Sequence, residues 1–215
     1  MNLQRHPDSE YGLMNKNKNA IYSGTDDFYE RNALDYITST RGANLTAIYD
    51  RFLDKLDNQS FILDIGPGSG DSMKYFIKKG HTVKGIEKSK GITEYLCSEN
   101  LEVICADAVY YRTEKQADAI WASAMIHHLE ERDFAAFFNT ASQNLKPGGI
   151  LYVSAKSSDE DYFDAKRRLF VRINEDRIAS ALYDSGFSIF ECWESDDKLG
   201  RDNTRWINTI AEKKR

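Results

Sequence analysis

The run Phe61-Ile62-Leu63-Asp64-Ile65-Gly66-Pro67-Gly68-Ser69-Gly70-Asp71 decides how the rest of the chain is read. Its apolar start predicts a short buried strand, and the alternating glycines predict a tight turn into a helix that begins near Asp71. Gly66, Gly68 and Gly70 lack a Cβ, so main chain there can turn sharply and touch a ligand. The free N–H groups at a helix start favour an acidic ligand group such as a carboxylate or phosphate. A dinucleotide turn carries G-x-G-x-x-G. Here the glycines alternate instead, and Asp64 stands two places before the first.

Outward from this turn, strands and helices alternate. Strands are predicted over 61–65, 82–86, 101–104, 117–122 and 150–153, with helices over 71–79, 90–98 and 131–145 between them. Such alternation means a parallel sheet covered on both faces. A helix over 175–184 leads to two closing strands, 187–194 and 205–212, whose short polar link suggests an antiparallel pair at one edge. Upstream, one amphipathic helix starts at Asp26-Asp27 and carries Phe28, Tyr29, Ala33, Tyr36 and Ile37, and a second runs from Leu45 to Leu56. Residues 1–25 read as a polar, asparagine-rich arm.

Bulk properties bound the class. The chain has 215 residues, 41% hydrophobic and 29% charged, as expected of one globular domain. No apolar run reaches the roughly 20 residues that span a bilayer, and the N-terminus lacks a signal peptide's apolar region, so a cytoplasmic protein without membrane partners is expected. Cys97, Cys105 and Cys192 are widely spaced, which argues against a disulfide framework or a zinc site. A net charge of −5 argues against a broad nucleic-acid-binding face.

The pattern D-x-G-x-G-x-G over Asp64 to Gly70 resembles motif I of the class I S-adenosylmethionine-dependent methyltransferases. The resemblance extends from about residue 28 to the C-terminus. It implies an α/β fold: a Rossmann-like, seven-stranded, mostly parallel sheet with an antiparallel edge strand and helices on both faces. One domain over 26–215 is implied, with N-terminal lid helices over 26–58 and a substrate-side insertion over 155–174. It implies S-adenosyl-L-methionine as cofactor, cradled by Asp64, Gly66, Pro67, Gly68 and Gly70. Glu87 stands twenty-three residues beyond Asp64, with Lys88 beside it, where the family's acid holds both ribose hydroxyls. A carboxylate suits that task because each oxygen can accept a hydroxyl proton. Asp107-Ala108 resembles the motif whose aspartate accepts from the adenine amino group and whose next N–H donates to the ring. Ala122-Ser123-Ala124-Met125-Ile126-His127-His128-Leu129 resembles motif IV of members acting on small molecules, a segment that lines the cofactor and faces the substrate. Tyr29 and Tyr36, seven apart on one helical face, offer aromatic surface to a sulfonium. Arg205-Trp206-Ile207-Asn208 resembles the last strand of a tellurite-resistance-like subgroup.

Methyl transfer is an in-line displacement, and a base is needed only when the acceptor must lose a proton. His127 and His128 are the candidate bases. In an extended segment only one of them can face the pocket, and capping of the following helix is the competing role. In 155–174, aromatics could wall a pocket and Arg167, Arg168 or Arg172 could pair with an anionic acceptor. Surface composition favours instead a solvated charged helix on the sheet edge. The segment after the fourth strand lacks the Asp/Asn-Pro-Pro-aromatic motif of DNA amino-methylating enzymes, and no cysteine stands where cytosine C5 enzymes need one. The leading expectation is methyl transfer to a small-molecule acceptor. A tRNA-modifying methyltransferase and an inactive cofactor-binding module acting through a partner are the alternatives, with a nicotinamide dehydrogenase disfavoured by the glycine spacing. The oligomeric state is left open.

Overall fold

The computed structural model describes residues 24–201 and 204–215. A helical stretch over 24–31 (α1) is followed by α2 (Ala33–Thr40), α3 (Thr46–Leu53), β1 (Phe61–Ile65), α4 (Asp71–Lys78), β2 (Thr82–Glu87), α5 (Lys90–Ser98), β3 (Val103–Cys105) and β4 (Ala117–Ala122). A short 3-10 turn (Ile126–His128), α6 (Glu131–Asn144), β5 (Leu145–Lys156), β6 (Tyr162–Phe163), β7 (Leu169–Phe170), α7 (Glu175–Asp184), β8 (Phe187–Asp196) and β9 (Arg205–Lys213) complete it.

The main sheet has seven strands in the order β3-β2-β1-β4-β5-β9-β8. β1 pairs in parallel with both β2 and β4, so the chain reverses direction across the sheet at β1. A crevice outside the carboxyl ends of the strands at such a point is where open α/β sheets bind ligands. β9 runs antiparallel to both β5 and β8. The closing pair therefore occupies the edge, as the short polar link implied, but the reversed strand is the inner member of the pair.

Side chains alternate across β1, and the two faces of the sheet bury separate clusters. Leu63 and Ile65 join Phe137, Phe138 and Leu151. Ile62 joins Phe52, Phe76, Trp121 and Tyr152 on the other face. Trp121 and Tyr152, on neighbouring strands, stack with centroids 3.8 Å apart and planes 11° from parallel. Both are 1% exposed, so each contributes on the order of 1.5–3 kcal/mol by burial.

Several boundaries differ from the sequence expectation, each for a local reason. Of the 1–25 arm only Gly24 and Thr25 fall among the described residues, and they begin α1 rather than precede it. The helix predicted from Asp26 is interrupted at Asn32, whose side-chain amide shares the Phe28 carbonyl with its own backbone N–H. β5 starts at Leu145, before the Pro147-Gly148-Gly149 turn, because Leu145 pairs with Ala117 and a bulge absorbs the register shift between Ala117 and Ala119.

The segment 155–174 is not the solvated charged helix expected from its composition. It forms a β6–β7 hairpin in which Tyr162 opposes Phe170 and Phe163 opposes Leu169. Asp164 Oδ1 accepts the N–H groups of both Lys166 and Arg168, the kind of Asx turn that reverses a chain. Leu169, Phe170, Val171 and Ile173 are buried, which anchors the hairpin to the sheet.

Gly70 tests the packing around the β1–α4 turn. Its φ is +78°, and a Cβ there would lie 2.7 Å from Leu96 Cδ2 and 2.8 Å from Leu101 Cδ1. Gly70→Ala is expected to destabilise the fold by about 1–3 kcal/mol, combining overpacking with backbone strain. The measurement is the urea midpoint at unchanged slope, and an unaltered midpoint would contradict this packing.

Candidate functional site

Two cavities open at the carboxyl ends of the strands and share a wall. The first lies over β2 and β3 and is lined by Glu87, Lys88, Asp107, Ala108, Met125 and Ile92, among others. The second, of about 380 Å³, lies over β1, β4, β5 and β9 and is lined by Asp64, Pro67, His127, Lys156, Arg168 and Trp206, among others. Tyr29, Tyr36, Gly66, Gly68, Ser123, Ala124 and His128 border both. Asp64 and Glu87 thus sit in adjoining cavities, one strand apart, on either side of the glycine turn.

That turn leaves room at the wall. Gly66 and Gly68 have φ values of 64° and 54°. A Cβ on Gly68 would lie 3.5 Å from the Tyr36 ring and narrow the passage between the cavities. Gly70 borders neither cavity and packs inward against Leu96 and Leu101. Across the wall, Ala124 also adopts a left-handed φ of 58°, held by the Ser154 carbonyl and hydroxyl, which accept its N–H at 3.1 and 3.0 Å. The Ser154 hydroxyl also bonds Ser123 Oγ at 3.1 Å. A non-glycine residue in this region is strained and needs such support.

Two buried acids set the electrostatics. Burial pushes Glu87 up to about 7, against the N–H groups of Ser89 and Lys88 that favour its charged form. Oε1 accepts from Ser89 N at 2.9 Å. Burial likewise pushes Asp64 up to about 7, against a hydrogen bond from Ser72 Oγ and with the Glu87 charge adding to the rise. A desolvated carboxyl facing a cavity suits hydroxyl donors, which pair with it without bringing a second charge. Lys88 is exposed and bridges Asp26 at 2.7 Å and Asp107 at 3.2 Å. Asp107 Oδ1 accepts from Val109 N at 2.9 Å, which fixes the carboxylate at the cavity rim.

The histidines occupy a 3-10 turn, not an extended segment, and both rings border the second cavity. The expectation that only one could face a pocket fails for that reason. Their tautomers follow from their partners. The Lys156 backbone N–H donates to His127 Nδ1 at 3.2 Å, so the His127 proton resides on Nε2. His128 Nδ1 donates to the Leu169 carbonyl at 2.6 Å, so His128 Nε2 accepts from the Tyr29 hydroxyl at 2.9 Å. Arg168 Nη1 donates in turn to the Tyr29 oxygen at 3.3 Å. Burial holds both imidazoles neutral, His127 well below its ordinary value and His128 down to about 4.

Of the cofactor-binding and base candidates named from sequence, all but Gly70 border one of the two cavities. Among the three arginines offered as anion partners, only Arg168 faces the second cavity, where Asp164 Oδ2 takes Nε and Nη2 at 2.9 and 2.6 Å. Sequence reasoning missed Lys156, Trp206, Asn208 and the loop 195–201, which also wall that cavity. They come from strand ends and a link far apart in the chain, and the resemblance of Arg205-Trp206-Ile207-Asn208 to a subgroup's last strand says nothing of a cavity.

The order of the seven strands, the reversed β9 and the glycine turn after β1 define the class I methyltransferase fold. A methyltransferase-domain family model matches residues 62–149. An uncharacterised methyltransferase of Alkaliphilus oremlandii is 28% identical over 151 residues, which is 68% of this chain and 67% of that protein. One from Bacillus thuringiensis is 27% identical over 141 residues, 60% of this chain, and the match spans only 66% of that relative's length. The fold also matches the 1,6-didemethyltoxoflavin-N1-methyltransferase of Burkholderia thailandensis, solved with 1,6-didemethyltoxoflavin and S-adenosylhomocysteine. The TM-score is 0.70 at 16% identity, covering 100% of this chain and 94% of that one. It matches the cyclase SpnF as well, with a TM-score of 0.65 at 17% identity over 78% of this chain and 80% of that one.

The raised Glu87 carboxyl has a measurable consequence in the ligand-free protein. Its unfolded value is about 4.3, so between roughly pH 4 and 7 the unfolded chain releases a proton that the folded chain retains. Stability from this group is fully present below pH 4 and is lost as pH rises toward 7. The neutral histidines act with the opposite sign, so the comparison must be with a variant. Glu87→Gln should match the parent in unfolding free energy near pH 4 and exceed it near pH 7 by up to about 3 kcal/mol, read as a higher thermal midpoint. Parallel midpoint-against-pH curves for the two proteins would contradict the raised value.

Proposed function

We propose that the chain is an S-adenosylmethionine-dependent methyltransferase that binds the cofactor across the first cavity and the glycine turn, and methylates a small or medium-sized acceptor in the second. The single observation behind this reading is the shared wall, which brings the two cavities together at Gly66, Gly68, Tyr29 and His128. The Burkholderia fold relative, solved with 1,6-didemethyltoxoflavin and S-adenosylhomocysteine, supports a small acceptor. None of the proteins named above carries the tellurite-resistance-like description, so the proposal stays at the wider class.

The cofactor, when bound, supplies a methyl group that leaves its sulfonium in line toward a nucleophile, the bonding pair remaining on sulfur. Glu87 accepts the ribose hydroxyls. Asp107 and the Ala108 N–H take the adenine edge, with Lys88 holding the Asp107 carboxylate in place. The turn Asp64–Gly70 carries the amino-acid end, and Pro67 and Ser123 close its sides. Tyr29 and Tyr36, whose rings meet edge-to-face at 4.9 Å, give the shared wall an aromatic surface suited to a cation.

Where the acceptor carries a proton, the residues at the wall can remove it. The Tyr29 oxygen takes the acceptor's proton as the Tyr29 hydroxyl hydrogen moves to His128 Nε2. The Leu169 carbonyl steadies the resulting imidazolium through Nδ1. Arg168 holds the tyrosine oxygen in register from the other side.

Calorimetry with S-adenosylhomocysteine tests the cofactor site. The parent protein should bind it, and Gly68→Val should abolish binding with an unchanged circular dichroism spectrum. Normal affinity in that variant would refute the site. Tyr29→Phe should lower turnover by about 10²-fold or more on an acceptor that must lose a proton. A loss confined to KM would exclude the relay.

A further inference from the structure

Resting on that reading, we infer that the acceptor bears a carboxylate, bound at the end of the second cavity where Lys156, His127 and Phe170 meet. The corner is built from the end of β5, the 3-10 turn and the β6–β7 hairpin. His127 is 2% exposed and borders the cavity. With Nδ1 occupied by the Lys156 N–H, its Nε2 carries a hydrogen, and no described residue accepts it. The Nε2–H is therefore open to the cavity and available to an acceptor atom of a ligand.

The charge at this corner is positive and largely uncompensated. Lys156 has no carboxylate within ion-pair distance among the described residues, and its ammonium lies 5.5 Å from the Phe170 centroid and 5.4 Å from that of Tyr162. The cavity's nearby acids are already engaged. Asp164 is taken by Arg168, Asp197 by Arg201 and Trp206 Nε1, and Asp196 by Arg205. The His127 ring stacks on Phe170 at 5.1 Å and 6°, and Tyr162 stacks on Phe170 at 5.0 Å and 6°, so the aromatic groups are fixed relative to the lysine. The Tyr162 hydroxyl beside them is buried and has no partner among the described residues. A free N–H donor on one side of Phe170 and an unpaired ammonium over the Phe170 and Tyr162 rings are the groups that an anionic oxygen ligand recruits. Phe170 and Trp206 supply apolar surface for the rest of the molecule.

Benzoate and its uncharged analogue benzamide serve as probes, titrated calorimetrically into the full chain with and without S-adenosylhomocysteine. Benzoate should bind at least tenfold tighter than benzamide. Lys156→Met should remove that preference, and Lys156→Arg should keep most of it, which separates a lost charge from a damaged fold. Lys198→Met, which removes another lysine bordering the same cavity, should leave the preference intact. Equal binding of the two probes, no binding of either at millimolar concentration, or a preference that survives in Lys156→Met or disappears in Lys198→Met would overturn the proposal. S-adenosylhomocysteine affinity, measured on the same samples, reports separately. Its absence in the parent would remove the methyltransferase reading while a Lys156-dependent benzoate preference stood, and its presence without that preference would remove only the carboxylate.

Discussion

The carboxyl edge of the sheet depends on one constraint: β1 must turn into α4 within five residues while Asp64 stays buried beneath the turn. Left-handed backbone at Gly66, Gly68 and Gly70 makes that possible, with φ values of 64°, 54° and 78°. The turn places Ser72, in the first turn of α4, where its hydroxyl reaches Asp64. It also brings Gly68 within contact of Tyr36 and packs Gly70 against α5 and the loop after it. Strand, helix and the Tyr36 face of α2 thereby meet at this turn. The shared wall between the two cavities is a product of that geometry.

How far the molecule could be read in advance follows from how local each feature is. Strands β1 and β4 and helices α5 and α7 fall where periodicity put them, because each is a run of consecutive residues with one buried face. The place of Glu87, at the end of β2 and on the first cavity, was legible for a similar reason, since strand length and crossover length fix its distance from Asp64. The hairpin over 162–170 was not. Its charges look like a solvated helix, and what determines the hairpin is a single carboxylate, Asp164, capping its own turn and then clamping Arg168. Composition averages over such a contact.

The histidine pair shows the same limit in chemical form. Adjacent imidazoles look equivalent in sequence, but the structure gives them opposite polarity. His127 accepts at Nδ1 from the main chain of β5 and presents an N–H donor. His128 donates at Nδ1 to the hairpin and presents a lone pair, to Tyr29. The difference comes from two backbone groups, at Lys156 and Leu169, that lie 29 and 41 residues further along the chain. No reading of Ile126-His127-His128 by itself could supply them.

Neutrality of this pair also constrains when a proton can move. With burial and Arg168 holding His128 down to about 4, an imidazolium there is disfavoured while the pocket carries other positive charge. On the proposed reading, a bound sulfonium would add such a charge and methyl transfer would remove it. His128 would then take up the proton only as methyl transfer proceeds, when the imidazolium would replace the charge lost from sulfur. Tyr29 is suited to couple the two events because it touches His128 on one side and borders both cavities on the other.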